Sequence, residues 1–239
     1  VYNGKPVKEI GEKAFYAASG YPLNSIAYRR GVISITIPSS ITTIGKYAFS
    51  YFGGAGTKVT VEGNGLRTIG QYAFYNSGFS GINLPAGVTV IEKNAFALCG
   101  NLSDINIPPY VTKIGDRAFD SCGSVSGELV LPTTLTSLGQ NVFEDCTSLT
   151  TVRWNCMLSS ISYGTFRGCK ALKNFHMSLP AEAALRSIEG YAFYYCSGIT
   201  EFTVPSNVNS IGKYSFYNSG LKKVTYPSGA AVGTKAFPT

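Results

Sequence analysis

The chain has 239 residues and a mass of 25.5 kDa, enough for a large buried core. Charged residues make up only 14%, against 27 glycines, 16 tyrosines and 14 phenylalanines, which excludes a disordered or acidic-tail protein. No apolar run approaches the ~18 residues of a membrane-spanning helix, and the opening at Val1 shows no signal peptide, so a targeting segment or anchor is expected outside this sequence.

Net charge is +7, laid out unevenly. Seven Lys/Arg face two Asp/Glu in residues 1–60, four face eight in 61–150, and nine face three in 151–239. A nucleic-acid binder gathers its positive charge on one face or helix. Two basic ends around an acidic middle do not fit that pattern, so no nucleic-acid partner is expected. The basic ends remain candidate contacts for a polyanion.

Along the chain one repeat governs everything. The pattern apolar-Gly-x-x-small-Phe occurs ten times, ending at Phe15, Phe49, Phe74, Phe96, Phe119, Phe143, Phe166, Phe193, Phe216 and Phe237. Five residues before each Phe stands Ile, Leu or Val, from Ile10 to Val232. Between anchors a second pattern, apolar-x-apolar-Pro, predicts a strand: Ile35-Thr-Ile37-Pro38, Ile82-Asn-Leu84-Pro85, Ile105-Asn-Ile107-Pro108, Leu129-Val-Leu131-Pro132, Phe202-Thr-Val204-Pro205 and Val224-Thr-Tyr226-Pro227. Apolar residues two apart bury one strand face, and proline, lacking an N–H, ends the strand. A Val-Thr-x-Ile-Gly segment follows as a second short extended piece, as at Val111–Gly115. The stretch around each Phe is too short for an α-helix and is expected to form a 3₁₀ turn. Two intervals are long: the first, with an insertion around 19–31, and the one ending at Phe193, with extra residues around 181–184 that favour helix.

A unit of about 23 residues buries its apolar side only against copies of itself, so the chain should stack as a solenoid, strands roughly 4.8 Å apart, with the anchors forming a phenylalanine spine. Residues 1–239 then form a single domain of about ten repeats.

Cys99, Cys122, Cys146, Cys169 and Cys196 each lie three residues after an anchor, in five consecutive repeats. The column elsewhere holds Ala18, Phe52, Ser77 and Ser219, which reads as interior packing by free thiols. Stacked neighbours do fall within bridging range, so disulfides stay an alternative. Cys156 lies just past a strand. Without a C-x-x-C pair or a second histidine, no metal or other cofactor is expected.

The ladder Leu-x-x-Ile-x-Ile-Pro…Val-Thr-x-Ile-Gly-x-x-Ala-Phe-x-x-Cys resembles the BspA-type leucine-rich repeat of bacterial surface proteins, over essentially the whole chain. The resemblance implies a right-handed curved solenoid, mainly β with short 3₁₀ or helical turns, and a parallel sheet on its concave face. It also implies a secreted or surface-displayed protein that adheres to a host protein, a glycan or a neighbouring cell. It supplies no catalytic or ligand motif.

Catalysis finds little support in the residues. His176 is the only histidine and has no candidate nucleophile paired with it. Asp104 and Glu128, aligned on neighbouring strands, are the one carboxylate pair at a plausible glycosidase spacing. A non-enzymatic binding module, monomeric, is therefore expected, with a structural spacer solenoid as the alternative and an enzyme third. Two surfaces are candidates for contact. The outward strand positions, which include Lys223, Arg153 and His176, are mostly small or polar and hold no Phe, Tyr or Trp. The positions two before and one after each anchor hold Tyr191, Tyr194, Tyr214 and Tyr217 in consecutive repeats, near Lys213, Lys222 and Lys223. Because these columns also accept Lys, Arg, Asn and Asp, their tyrosines should be exposed, and exposed tyrosines often mark recognition surfaces.

Overall fold

A computed structural model describes residues 5–16 and 34–238. The first long interval, with its insertion at 19–31, lies outside the described residues. The rest forms a β-solenoid of about nine turns between ten anchors, and every strand pairing is parallel.

The described strands line two faces. The strands Ser34–Ile37, Lys58–Val61, Gly81–Ile82, Gly127–Leu131, Leu149–Trp154, Asn174–Met177, Glu201–Thr203 and Lys223–Thr225, all but Gly81–Ile82 three residues or longer, form the long-strand face in three separate sheets. The predicted register holds: Ser34 pairs with Lys58, Arg153 with Val130 and His176, and Glu201 with Lys223. The face is interrupted between Asn174–Met177 and Glu201–Thr203, and also at 102–107. There Ile105 and Ile107 bury their side chains, but the ladder is carried by Ser103, whose N–H donates to Ser80 and whose carbonyl accepts from Ser126. The two-residue strands from Glu9–Ile10 to Ala231–Val232 form the second face. Glycine recurs at the end of these strands because a Cβ at Gly115 would stand 2.4 Å from the Lys93 nitrogen, and at Gly212 2.3 Å from that of Gly190. Repeats approach each other there backbone to backbone.

The third ladder runs along the flank through the anchors. The i→i−3 bonds of the expected turn are present, as from Ala48 N–H to Gly45 O, but the turn does not coil. The residues two before the anchor have φ between 51° and 62° in all ten repeats, from Lys13 to Lys235, and most residues two after it are left-handed as well. Alternating hands extend the segment, so that every second N–H points to the next repeat: Tyr47 to Gln71 O, Phe49 to Ala73 O, Tyr51 to Tyr75 O. A left-handed non-glycine residue costs about 1–2 kcal/mol, and these inter-repeat bonds offset it.

Inside, the ten anchor rings form an unbroken stack. Successive centroids are 4.9–5.7 Å apart and the planes within 17° of parallel. Phe79, Trp154, Phe175 and Phe202 pack against it from the strand side. The cysteine column explains itself at the same level. The thiols of Cys99, Cys122, Cys146, Cys169 and Cys196 donate to the anchor carbonyl of the preceding repeat at 3.0–3.3 Å, and Ser77 does so with its hydroxyl at 2.6 Å. All six cysteines are free and buried, Cys156 included. Burial pushes the Cys99 and Cys156 thiols up to about 12 and raises the others.

The extra residues around 181–184 form helix α1, Leu179–Ala184, with Pro180 in its first turn. Ala181 anchors it in the core, while Leu179 stays exposed.

Candidate functional site

The left-handed backbone sets what the flank displays. Tyr191 (φ 59°) and Tyr214 (φ 57°) project from equivalent positions one repeat apart, and their rings stack at 5.2 Å. Tyr194 and Tyr217 stack at 6.0 Å, and the pairs meet at 5.1 Å (Tyr191–Tyr194) and 5.4 Å (Tyr214–Tyr217). The four tyrosines singled out from the sequence thus form one cluster. Four aromatic or cationic neighbours of it were not foreseen, the first being Tyr163, whose ring meets Tyr191 at 5.3 Å. Tyr195, exposed, stands edge-on to Tyr194 at 4.4 Å. Arg167 lies over Tyr191 and Tyr194 at 5.9 and 5.5 Å, and Lys235 over Tyr217 at 5.7 Å. Desolvation, followed by the hydrogen bond with Tyr195, raises the Tyr194 phenol above its ordinary value. The signal for Arg167 was available in the sequence, since it occupies the same column one repeat before Tyr194.

The expected exposure of these columns needs correcting. Tyr191, Tyr194, Tyr214 and Tyr217 are half-buried, and Asn94, Asn141 and Glu144 in the same columns are buried. What the column two before the anchor shares is the backbone hand, while exposure varies from Lys13 and Lys235 outside to Asn94 and Asn141 inside. Glu144, in the other column, is held by cations: its carboxylate meets Arg117 at 3.0 Å and Arg167 at 3.4 Å, and Arg117 also holds Asp120 at 2.8 Å. Burial, partly countered by Arg117, raises the Glu144 pKa.

The lysines divide. Lys213 lies on the flank, its carbonyl accepting the Tyr191 N–H. Lys223 lies on the long-strand sheet with Glu201 at 3.8 Å, next to Lys222. Among the described residues, the cations set over this tyrosine cluster are Arg167 and Lys235, not these lysines.

On the long-strand face Arg153 and His176 are register partners and exposed, as expected, and Arg153 donates to Glu128. That ion pair occupies Glu128, and Asp104 falls in the interruption of the sheet, so the carboxylate pair does not form on adjoining strands. The face is also less flat than its polar columns suggest. Where α1 interrupts the repeat, a cavity of about 280 Å³ opens beside His176, with Glu182 and Glu201 on its walls and Phe175 and Phe202 among its lining. Among the described residues no group of His, Cys, Asp and Glu is placed to hold a metal ion, and no helix is long and apolar enough to cross a membrane.

A second tyrosine cluster lies toward the other end of the same flank. Tyr16, Tyr47, Tyr51, Tyr72 and Tyr75, with Lys13, surround a cavity of about 420 Å³. Between the two clusters the columns hold the Arg117–Asp120–Glu144–Arg167 ion network.

Solved structures with the same fold include a leucine-rich-repeat protein of T. pallidum, 26% identical, with a TM-score of 0.52 over 82% of this chain and 73% of that one. Another, from Eubacterium ventriosum, is 19% identical with a TM-score of 0.50 over 87% and 77%. The pneumococcal vaccine antigen PcpA is 20% identical with a TM-score of 0.50 over 95% and 71%. No curated protein matches the chain in sequence. The family described as BspA type leucine-rich repeat region matches residues 24–127 and 126–239 in six copies. The chain belongs to the BspA-type leucine-rich-repeat family.

Proposed function

We propose that the protein is a secreted or surface-displayed binding module without catalytic activity, acting as a single monomeric domain. In this reading it attaches to an extracellular partner, a host protein, a glycan or a neighbouring cell. The strongest contact falls on the C-terminal flank, where Tyr191 and Tyr194 lie under Arg167 and Tyr217 under Lys235, with Tyr195 and Tyr214 packed beside them. The observation that carries this is the unevenness of the flank: the same columns hold packed tyrosines at repeats eight and nine, and again at repeats one to three, with a charge network between them at repeats five to seven. A spacer solenoid has no need of such contrast. Tyrosine supplies a large amphipathic contact with few rotatable bonds, and Lys235 at the rim adds attraction for acidic groups, the charge of Arg167 being shared with Glu144. On the long-strand face Arg153 and Lys223 are already engaged with Glu128 and Glu201, which leaves less of their charge for a partner.

The test is an array of extracellular-matrix proteins and glycans probed with the purified chain, then repeated with two double variants. Tyr191→Ala/Tyr214→Ala should lose about tenfold or more in affinity, as expected for truncated hot-spot tyrosines. Arg153→Ala/His176→Ala should lose little. The opposite order refutes the placement, and no effect in either variant favours the spacer reading.

A further inference from the structure

The N-terminal tyrosine cavity has no counterpart in the reading above, and its chemistry points to a different ligand. We propose that it binds an acidic pyranose sugar, a uronic or sialic acid unit of a glycan, independently of the C-terminal flank.

Composition comes first. The cavity of about 420 Å³ is lined by five tyrosines and Lys13. A tyrosine ring offers a flat face to the C–H side of a pyranose and a phenolic O–H to its hydroxyls. An aliphatic peptide side chain would meet no aliphatic wall. The volume lies within the range of small-molecule sites.

Geometry comes second. Tyr16 stands edge-on to Tyr47 at 6.1 Å and to Tyr51 at 6.0 Å, while Tyr75 stands edge-on to Tyr51 at 5.6 Å and to Tyr72 at 5.4 Å. Tyr47 and Tyr72 stack at 4.8 Å and form one continuous wall. Rings at right angles leave a walled space that a fully stacked column would close. The walls are fixed from behind: Tyr47, Tyr51 and Tyr72 have φ near 56–59° and donate their N–H groups to Gln71, Tyr75 and Lys93 of the next repeats. Binding therefore orders little that is not already ordered.

Charge comes third. Among the described residues, Lys13 is the charged residue of the lining, and Lys46 stands 5.4 Å from the Tyr47 ring. Glu12 approaches Lys13 at 4.0 Å, an exposed pair of little strength. A lysine in the wall repels the quaternary ammonium groups that aromatic boxes otherwise take. Here the cation stands in the wall, so the ligand carries the carboxylate.

The experiment is isothermal titration of the full chain at low salt with a hyaluronan hexasaccharide, with sialyllactose, and with neutral maltohexaose. An acidic sugar should bind at least about fivefold more tightly than maltohexaose, and added salt should narrow the gap. Tyr47→Ala/Tyr72→Ala should lose about tenfold or more. Tyr47→Phe/Tyr72→Phe, which keeps the walls and removes two hydroxyls, should lose less but measurably. Lys13→Gln should abolish the preference for the acidic sugars, and Tyr191→Ala/Tyr214→Ala should leave binding unchanged. No binding of either acidic sugar, equal binding of maltohexaose, or full affinity in the phenylalanine variant overturns the proposal. So does displacement of the sugar by a polyproline peptide, which would identify the cavity as a peptide groove. Loss in the Tyr191→Ala/Tyr214→Ala variant overturns the independence of the two sites.

Discussion

Replacing Phe119 with alanine removes one ring from the middle of the spine. The ring is 1% exposed and lies between Phe96 at 5.1 Å and Phe143 at 5.6 Å, nearly parallel to both. Truncating a buried phenylalanine costs about 3–5 kcal/mol, depending on how far the site collapses. Collapse is restricted here. Phe96 donates its N–H to Ala118 O and Phe119 donates to Val142 O, so the flank ladder holds the three repeats at fixed spacing. Two ring–ring contacts are lost as well, at about 0.5–1.5 kcal/mol each, part of which the truncation figure already contains. The expected loss is therefore in the upper half of the range, about 4–5 kcal/mol. Phe15→Ala is the comparison: Phe15 is 50% exposed, and its ring stacks on Phe49. It should cost less than about 1.5 kcal/mol. Urea unfolding followed by circular dichroism and by the fluorescence of the single Trp154 measures both. Because a repeat array couples through neighbours, the two probes should also separate in the Phe119→Ala variant. A loss below about 1 kcal/mol, or one equal to that of Phe15→Ala, refutes the spine as the main source of stability.

Three further outcomes follow from single residues. With Cys99 and Cys156 thiols pushed up to about 12 by burial and all six cysteines buried, Ellman's reagent at mildly alkaline pH should label none in the native protein and six after denaturation; rapid labelling of Cys156 contradicts this. Ser219, in the cysteine column, has a buried hydroxyl without a partner; Ser219→Cys should stabilise by about 1 kcal/mol in urea unfolding, and destabilisation would show that the column needs no hydrophobe there. Glu144 has its pKa raised by burial, so its protonation favours the folded state below the ordinary carboxylate range, and that contribution is lost as pH rises through the raised value. Wild type should therefore gain on Glu144→Gln as pH falls from about 7 to about 4, measured by unfolding at each pH; a gap that widens against wild type on acidification reverses the sign and refutes the assignment.

Much of this architecture was legible because the constraint repeats. Ten anchors at a steady period specify the Phe stack, and apolar residues two apart before proline specify the long strands. The flank was harder to read. Its columns accept Lys13, Tyr47, Asn94, Arg117 and Gly164 alike, which suggested exposure, whereas what these positions share is a left-handed φ. Side-chain identity then follows local partners, so Asn94 and Glu144 are buried where the same logic expected them outside. The cysteine column was readable as interior, but its thiol-to-carbonyl bonds were not, since they depend on the stagger between adjacent turns. Tyr191, Tyr194, Tyr214 and Tyr217 were brought together by register alone. Arg167 and Lys235 stand in the same two columns, one repeat before Tyr194 and one repeat after Tyr214, so the alignment also held the signal for both cations. The cavity beside His176 arises from the α1 insertion, where periodicity stops carrying information.

The placement of the contact surface is tested most directly by hydroxyl-radical footprinting with mass spectrometry, on the chain alone and bound to the partner that the array selects. Tyr195, Tyr214 and Tyr217 report on the C-terminal flank, and His176 with Met177, which line the cavity on the long-strand face, on the other surface, in one digest. The account predicts that oxidation of the flank tyrosines falls severalfold on binding while His176 and Met177 are unchanged. Protection of His176 and Met177 with the tyrosines still reactive would contradict it.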